Sequence, residues 1–472
     1  MALNSCNSSK SDPKAEDVVF DTAHHRTWNE IVEEGTLRAI TVYNGTGYFL
    51  YKGRPMGYEY DLLKRLAARY DLKLDIVLAE NIDSLIPMLN RGEGDLVAYG
   101  LAITQDRQDQ ALFTEPLYLS HQVLVQRKPE NYRNLSYHRV QDELILDPTE
   151  LIGDTVSVRA QSAYLERLIH LQREIGGEIF VDTVPGNTPT EKIIKQVADG
   201  ERKYTISDNN IASINAAFYP ILDVNTRMSL SQRIAWMVHL DNLQLRDSIN
   251  GWLDEMQDKT EYYYIYNKYF KHKRSYRARV KSEFYSLNNE RISQYDDIIQ
   301  RYAGEIGWDW RLLASVIYQE SQFNPVSESW ADALGLMQLM PETAERLNVM
   351  DRANPEESVR GGTKYLGMLM GKLSYIPDSI ERVKMALASY NCGFGHVLDA
   401  RRLAEANGDD PDVWTGSVEK AMLELSYPEN YNAEGIRYGY VRGIEPVTYV
   451  EQIFERYAHY CRFIGSDSTG VE

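Results

Sequence analysis

The 472-residue sequence predicts a multidomain chain, an α/β half in two lobes followed by an all-α half. Three observations carry this reading. Strand-like and helix-like segments alternate from residue 37 to 239, the mark of open sheets with helical connections. Composition turns aromatic and basic at 259–281 (KTEYYYIYNKYFKHKRSYRARVK). Beyond Ser293 the β-branched alternation stops and helical periodicity takes over.

Taken in order, LRAITVY (37–43) is a short β-branched strand. Gly57 to Asp61 opens DLLKRLAARYDL (61–72), whose leucines recur at helical spacing. LKLDIVLA (72–79) returns to a strand, SLIPMLNR (84–91) is a helix closed by Gly92 and Gly94, and DLVAYGLA (95–102) is a strand. This alternation predicts a sheet with parallel order. It resumes with DTVSVRA (154–160), SAYLERLIHLQREIG (162–176), EIFVDTV (178–184), TEKIIKQVADG (190–200), RKYTISD (202–208) and RIAWMVH (233–239). HQVLVQR (121–127) reads as the joint between two lobes, a clamshell in outline.

The next segment, 259–292, predicts a basic helical linker with its charges in solvent. Asn267 to Lys281 contains no acidic residue, although the chain carries Lys+Arg 51 against Asp+Glu 69, net −18. The alternative is that this segment contacts the acidic clamshell or an anionic polymer nearby. Helical stretches then follow at 298–307, 311–320, 341–347, 357–373 and 379–391. The acidic balance argues against a nucleic-acid partner, which needs a basic footprint. Three cysteines cannot build a disulfide framework. No apolar run approaches the length of a membrane-spanning helix.

On the helix 310–320, Leu313, Val316, Ile317 and Glu320 fall at i, i+3, i+4 and i+7, so the carboxylate shares the apolar stripe. Burial there raises a carboxyl pKa and suits it to act as a general acid. Taken alone, a helix-terminal Glu is more often a solvated surface residue. Its surroundings reverse that: Glu320-Ser321, Phe323-Asn324-Pro325 and Ser329 precede Gly335-Leu336-Met337-Gln338-Leu339-Met340-Pro341. Ala388-Ser389-Tyr390-Asn391-Cys392-Gly393 comes next, then Arg442-Gly443-Ile444-Glu445 with Tyr449-Val450.

These residues resemble the four motifs of the soluble-lytic-transglycosylase catalytic domain, a goose-type-lysozyme relative, over about 293–462. The resemblance implies a lysozyme-like helical fold acting on peptidoglycan glycan strands, with no metal and no cofactor. It gives Glu320 the role of single acid/base and places Ser329, Gln338, Tyr390, Asn391, Glu445 and Tyr449 along the substrate. It also implies cleavage of the MurNAc-GlcNAc β-1,4 bond with a 1,6-anhydro-MurNAc end, because hydrolysis ordinarily needs two carboxylates. Two departures stand out: Cys392 where the family usually has Ala, and Asp332 where it tends to have Gly. Asp332 turned towards the cleft would supply a second carboxylate and permit hydrolysis.

Residues 37–257 resemble family 3 periplasmic solute-binding proteins. The resemblance rests on Gly57-Tyr58-Glu59-Tyr60-Asp61-Leu62, Asp95-Leu96-Val97, Thr104 to Arg107, Phe113 to Pro116 and Thr205 to Asp208. It implies a type II clamshell holding an amino acid or muropeptide. Arg107 would fork a carboxylate with help from Thr104, Ser162 would add helix N-terminal amides, and Asp208 would take an ammonium. Arg107 as a plain surface residue is the bland alternative. Gln161-Ser162 replaces the usual Gly-Ser or Gly-Thr. Clamshell followed by transglycosylase is similar to one family of membrane-bound lytic transglycosylases, and covalent fusion suggests that the ligand regulates the Glu320 cleft.

The expected organisation is a tether (1–25), the clamshell (26–258; lobe I 26–120 and 231–258, lobe II 128–230), the linker (259–292), the catalytic domain (293–465) and a tail (466–472). Leu3-Asn4-Ser5-Cys6 resembles a lipoprotein cleavage site, with too few residues before it for a leader. The expectation is a missing leader, acylation of Cys6 and a lipid anchor at the periplasmic face of a Gram-negative outer membrane. Two other function classes stay open: a solute receptor with a silent wall-binding module, and a hydrolytic muramidase.

Overall fold

The computed structural model describes residues 24–160, 162–286 and 291–464; Cys6 and the greater part of the expected tether lie outside them. Lobe I begins with α1 (Trp28–Glu34), capped by a reciprocal Thr27/Glu30 box, and β1 (Thr36–Val42). The hairpin β2 (Phe49–Tyr51) and β3 (Arg54–Met56) follows, then α2 (Tyr58–Arg69), β4 (Lys73–Ala79), α3 (Leu85–Asn90) and β5 (Leu96–Ala102). Short α4 (Gln105–Gln108), β6 (Leu112–Phe113) and β7 (Tyr118–Ser120) complete the first pass.

Lobe II contains β8 (Gln122–Arg127), α5 (Tyr137–Gln141), β9 (Thr155–Arg159), α6 (Ala163–Ile175), β10 (Phe180–Val184), α7 (Thr190–Asp199), β11 (Tyr204–Asp208), α8 (Asn209–Phe218) and β12 (Leu222–Asp223). The chain returns to lobe I through β13 (Gln232–Val238) and α9 (Leu243–Gln257). Sheet orders are β4-β1-β5-β13-β6, with β7 also on β13, and β10-β9-β11-β8-β12.

The expectation of parallel order holds only for three strands along one side of each sheet. β1 pairs in parallel with β4 and β5, and β9 with β10 and β11. β13 and β8 run antiparallel to their neighbours. Both are the segments by which the chain crosses between lobes, so they enter without a helical crossover to reverse direction. HQVLVQR is therefore a buried strand of lobe II rather than a free joint.

The solvated linker expected at 259–292 is also corrected. Among its described residues it forms α10 (Thr260–Phe270) and α11 (Lys273–Val280). Tyr262, Ile265, Tyr269 and Phe270 lie in the lobe I core. Arg279 is buried against the rings of Phe49, Tyr269 and Tyr276. Tyr276 donates to Asn215 of α8 at 2.7 Å. Only one face of the segment is basic and exposed, and its aromatic face provides the apolar area that folds it down.

The catalytic unit is helical: α12 (Asp296–Glu305), α13 (Trp310–Ser321), α14 (Pro341–Arg346), α15 (Pro355–Lys372), α16 (Ser379–Cys392), α17 (Phe394–Asn407), α18 (Glu419–Glu424), α19 (Pro428–Tyr431) and α20 (Ile444–Phe463). α13 runs through the middle of its core, with Leu313, Ala314, Val316 and Ile317 fully buried. Asp309 caps α13, accepting from the Arg311 N–H at 2.9 Å, and Gln322 ends it at φ 51°. Lobe I packs on this unit: Leu50 of β2 lies within the catalytic core, and Phe463 of α20 packs against lobe I.

Candidate active site

Glu320 occupies the last turn of α13 and is half-buried. Tyr449 on α20, itself buried, donates its hydroxyl to Glu320 Oε1. Burial raises the Glu320 pKa from 4.5 to about 7, with the Tyr449 hydrogen bond opposing the rise. A carboxyl of this kind is still partly protonated at neutral pH, and can both give and take a proton.

The loop after α13 is bound tightly to that helix. Ser321 Oγ donates to the Leu336 carbonyl at 2.9 Å, and Tyr390 Oη on α16 donates to the Met337 carbonyl at 2.6 Å. Gln338 Nε2 donates to Ser327 O at 2.8 Å and Gly335 O at 3.0 Å. Ser329 Oγ accepts from the Ala331 and Ala333 amides at 3.3 and 3.0 Å. Gly335 sits at φ 92°, where a Cβ would lie 1.9 Å from Arg352 O, so glycine is required there.

The structure thus pairs Glu320 with Tyr449, while Tyr390 and Gln338 bond the neighbouring loop that Ser321 ties to α13. Ser329 and Gln338 spend hydrogen bonds on the loop itself. Asn391, Glu445 and Tyr449 line a groove of about 340 Å³ with Gln319, Ile444, Thr448 and Gln452. Gln319 donates to Gln452 at 2.9 Å. Gln319, Thr448 and Gln452 were missed in the sequence; the signal available was that 445, 448, 449 and 452 share one face of α20. Glu445 is exposed and pairs with Arg442 at 2.8 Å.

Asp332 pairs with Arg352 at 3.1 Å and has no hydrogen bond to Glu320 or Tyr449. It sits at φ 62°, 60% exposed. Cys392 donates to the Ala388 carbonyl at 3.2 Å and burial pushes its thiol up to about 12, as a packing residue. Among the described residues no cluster of three or more His, Cys, Asp or Glu is placed to hold a metal ion.

The second site lies between the lobes, a cavity of about 70 Å³. Its lining includes Arg107, Ser162 and Asp208; Thr104 is not part of it. Ser162 Oγ caps α6, accepting from Leu165 N at 3.3 Å, and donates to Arg159 O at 2.8 Å, so the hydroxyl is occupied. Asp208 Oδ2 accepts from Tyr164 Oη at 3.2 Å, and burial raises its pKa to about 6 against the pull of Tyr164, Arg159 and Arg107. Glu59, Tyr99, Arg159 and Glu191 also line the cavity and were missed, since nothing in their local pattern separates them from core or surface positions. Glu59 is buried, accepts from Gly100 N at 3.2 Å, and has its pKa raised to about 7 by burial. Glu191 of lobe II accepts from Gly45 N of lobe I at 3.1 Å, closing the lobes on each other.

Residues 297–413 match the family described as Transglycosylase SLT domain, and residues 27–272 match Bacterial extracellular solute-binding proteins, family 3. Fold and sites together define a class, a solute-binding clamshell fused to a lytic transglycosylase domain. Membrane-bound lytic murein transglycosylase F of Desulfosudis oleivorans is 35% identical over 428 residues, covering 91% of this chain and 90% of that protein. The protein of the same name from Aliivibrio fischeri is 32% identical, covering 91% and 83%. The chain belongs to the membrane-bound lytic murein transglycosylase F family, and is an enzyme of the lytic transglycosylase class. Its N-terminal half is similar to a solved ancestral arginine-binding protein bound to arginine, at 23% identity and TM-score 0.42, over 50% of this chain and 98% of that one. It is similar also to a mutant of ArgBP from T. maritima, at 24% identity and TM-score 0.41, over 52% and 99%.

Proposed function

We propose that this enzyme cleaves the MurNAc-GlcNAc β-1,4 bond of peptidoglycan without water, leaving a 1,6-anhydro-MurNAc end. The observation that supports this is the partnering of the acids: Glu320 is bonded to Tyr449, while Asp332 and Glu445 are each paired with an exposed or partly exposed arginine. Glu320 gives its proton to the glycosidic oxygen as the bond to the anomeric carbon breaks. The muramic acid 6-hydroxyl oxygen then bonds that carbon, and its proton returns to Glu320. One carboxyl suffices because the nucleophile belongs to the substrate. In this reading Asn391 and Glu445 contact the strand from the groove, while Tyr390, Ser329 and Gln338 hold the loop that shapes it.

The clamshell is proposed to bind an amino-acid-like or muropeptide ligand that regulates the enzyme, Arg107 taking a carboxylate and Asp208 an ammonium. We also place the protein at the periplasmic face of the outer membrane, anchored by acylated Cys6. The relatives are named membrane-bound, and no helix among the described residues is long and apolar enough to cross a membrane.

Digestion of purified sacculi, read by mass spectrometry, tests the reaction. Anhydro-muropeptides that disappear in Glu320→Gln support it. Reducing ends mean hydrolysis, and no products mean a receptor with a silent wall-binding module. Transfer of the protein from membrane to soluble fraction in Cys6→Ser tests the anchor.

A further inference from the structure

The cleft between the lobes holds more charge than a single amino-acid head group uses. Arg107 follows β5 of lobe I, and Arg159 ends β9 of lobe II. Arg159 is 8% exposed, its Nε has no partner, and its guanidinium lies 6.0 Å over the Tyr164 ring. Arg107 donates only to its own Ala102 carbonyl at 3.0 Å. Among the described residues neither guanidinium makes an ion pair, although Asp83, Asp208, Glu59 and Glu191 line the same cavity. Further orphan atoms belong to its lining: Glu59 Oε2 and Gln122 Oε1.

A buried guanidinium without a counter-ion is costly, and so is a buried amide or carboxylate oxygen without a partner. Six charged groups, Glu59, Asp83, Arg107, Arg159, Glu191 and Asp208, face one small space and avoid pairing with each other, an arrangement for something that comes between them. Glu59 and Glu191 each already accept a backbone N–H, from Gly100 and from Gly45. Asp208 uses one oxygen on Tyr164, leaving the other for a cation. Arg159 is then left over, because a ligand with one carboxylate satisfies Arg107 and leaves the second guanidinium with Tyr99 but no carboxylate.

We propose that the clamshell takes a small ligand carrying two carboxylates and an ammonium, with one carboxylate on Arg107, the second on Arg159 and the ammonium on Asp208. This rests on the reading of the clamshell as an amino-acid-type receptor and specifies its ligand class. Arg107 and Arg159 come from opposite lobes, so such a ligand draws them together as the Glu191–Gly45 contact does.

Two matched pairs of probes test it by calorimetry on the full chain. Glutamate and glutamine differ only in the second carboxylate, and diaminopimelate is lysine with a carboxylate added. Each dicarboxylate is expected to bind about tenfold or more tighter than its partner, the scale of a charge-assisted bidentate contact. Arg159→Gln is expected to erase that ratio while glutamine affinity stays within about threefold, and Arg107→Gln to abolish binding of all four. The comparison of pairs in the unaltered protein needs no variant to fold. Glutamine or lysine binding as tightly as its dicarboxylate partner overturns the proposal while keeping the amino-acid receptor. Failure of all four to bind overturns the receptor reading as well, and leaves sacculus digestion to stand or fall separately.

Discussion

Glu320 links stability, acidity and turnover in one side chain. Between pH 4.5 and about 7 the folded protein holds a proton on Glu320 that the unfolded chain has released. Stability therefore falls as pH rises through that window, by up to about 3 kcal/mol, and stays lowered above it. Glu320→Gln removes this dependence. The variant is expected to melt several degrees above the unaltered protein at pH 8, with the gap closing below pH 4.5, as scanning calorimetry would show. The same substitution should cost turnover at least about 10²-fold, the usual scale of lost proton transfer. Tyr449→Phe removes the hydrogen bond that holds the Glu320 pKa down, so the alkaline limb of the pH–rate profile should move to higher pH. A limb that stays near pH 7 would mean that another group titrates there.

At the scale of the element, the loop 322–340 is held by its own Ser329 and Gln338 and by side chains outside it, from Ser321, Ser358, Tyr390 and Arg352. Gly335→Ala is expected to cost at least about 2 kcal/mol in urea denaturation, because both φ and the Arg352 carbonyl exclude a Cβ. Asp332→Gly should leave turnover within about twofold and stability unchanged or raised by a few tenths of a kcal/mol. Its left-handed backbone favours glycine, and its ion pair with Arg352 is exposed on the Asp side. A large loss of activity would restore Asp332 as a second carboxylate.

These elements also show what a sequence can reveal. Glu320 was legible because an acid on an apolar stripe and four ordered motifs agree. The strands β1, β4, β5, β9 and β10 were legible because their neighbours are local in the chain. The antiparallel placement of β8 and β13 was not, since register between segments far apart in the chain leaves no local trace. In α10 and α11 the charges hid the pattern. Tyr262, Ile265 and Tyr269 lie at i, i+3 and i+7, a buried stripe beneath a basic face. Arg159 was unreadable for a related reason: an arginine at a strand end has no local signature that says it points into a cleft.

For the whole molecule, the decisive feature is the hairpin β2–β3. Lys52 and Gly53 turn it with φ of 50° and 72°, the two positive angles that suit a tight hairpin. Its tip reaches the catalytic unit, where Tyr460 Oη donates to Gly53 O at 2.8 Å, and Tyr48 bonds the buried His459. Its other edge pairs with 284–286, through Ser286 N to Leu50 O at 3.0 Å and Lys52 N to Phe284 O at 3.0 Å. That segment continues from α11, which is bonded to lobe II through Tyr276 and Asn215. The hairpin therefore joins lobe I to α20 of the catalytic unit and to the segment after α11, and Leu50 sits in the catalytic core although it belongs to lobe I by sequence. Leu50→Ala should cost about 2–4 kcal/mol, as truncation of a fully buried leucine does. Hydrogen exchange monitored by mass spectrometry locates that cost. Faster exchange in α13 and α20 would mean that a change in lobe I is felt at the Glu320 helix. Faster exchange confined to β1, α2 and β4 would make Leu50 a lobe I residue in energy as well as in sequence, and the clamshell and catalytic unit would then fold as independent bodies.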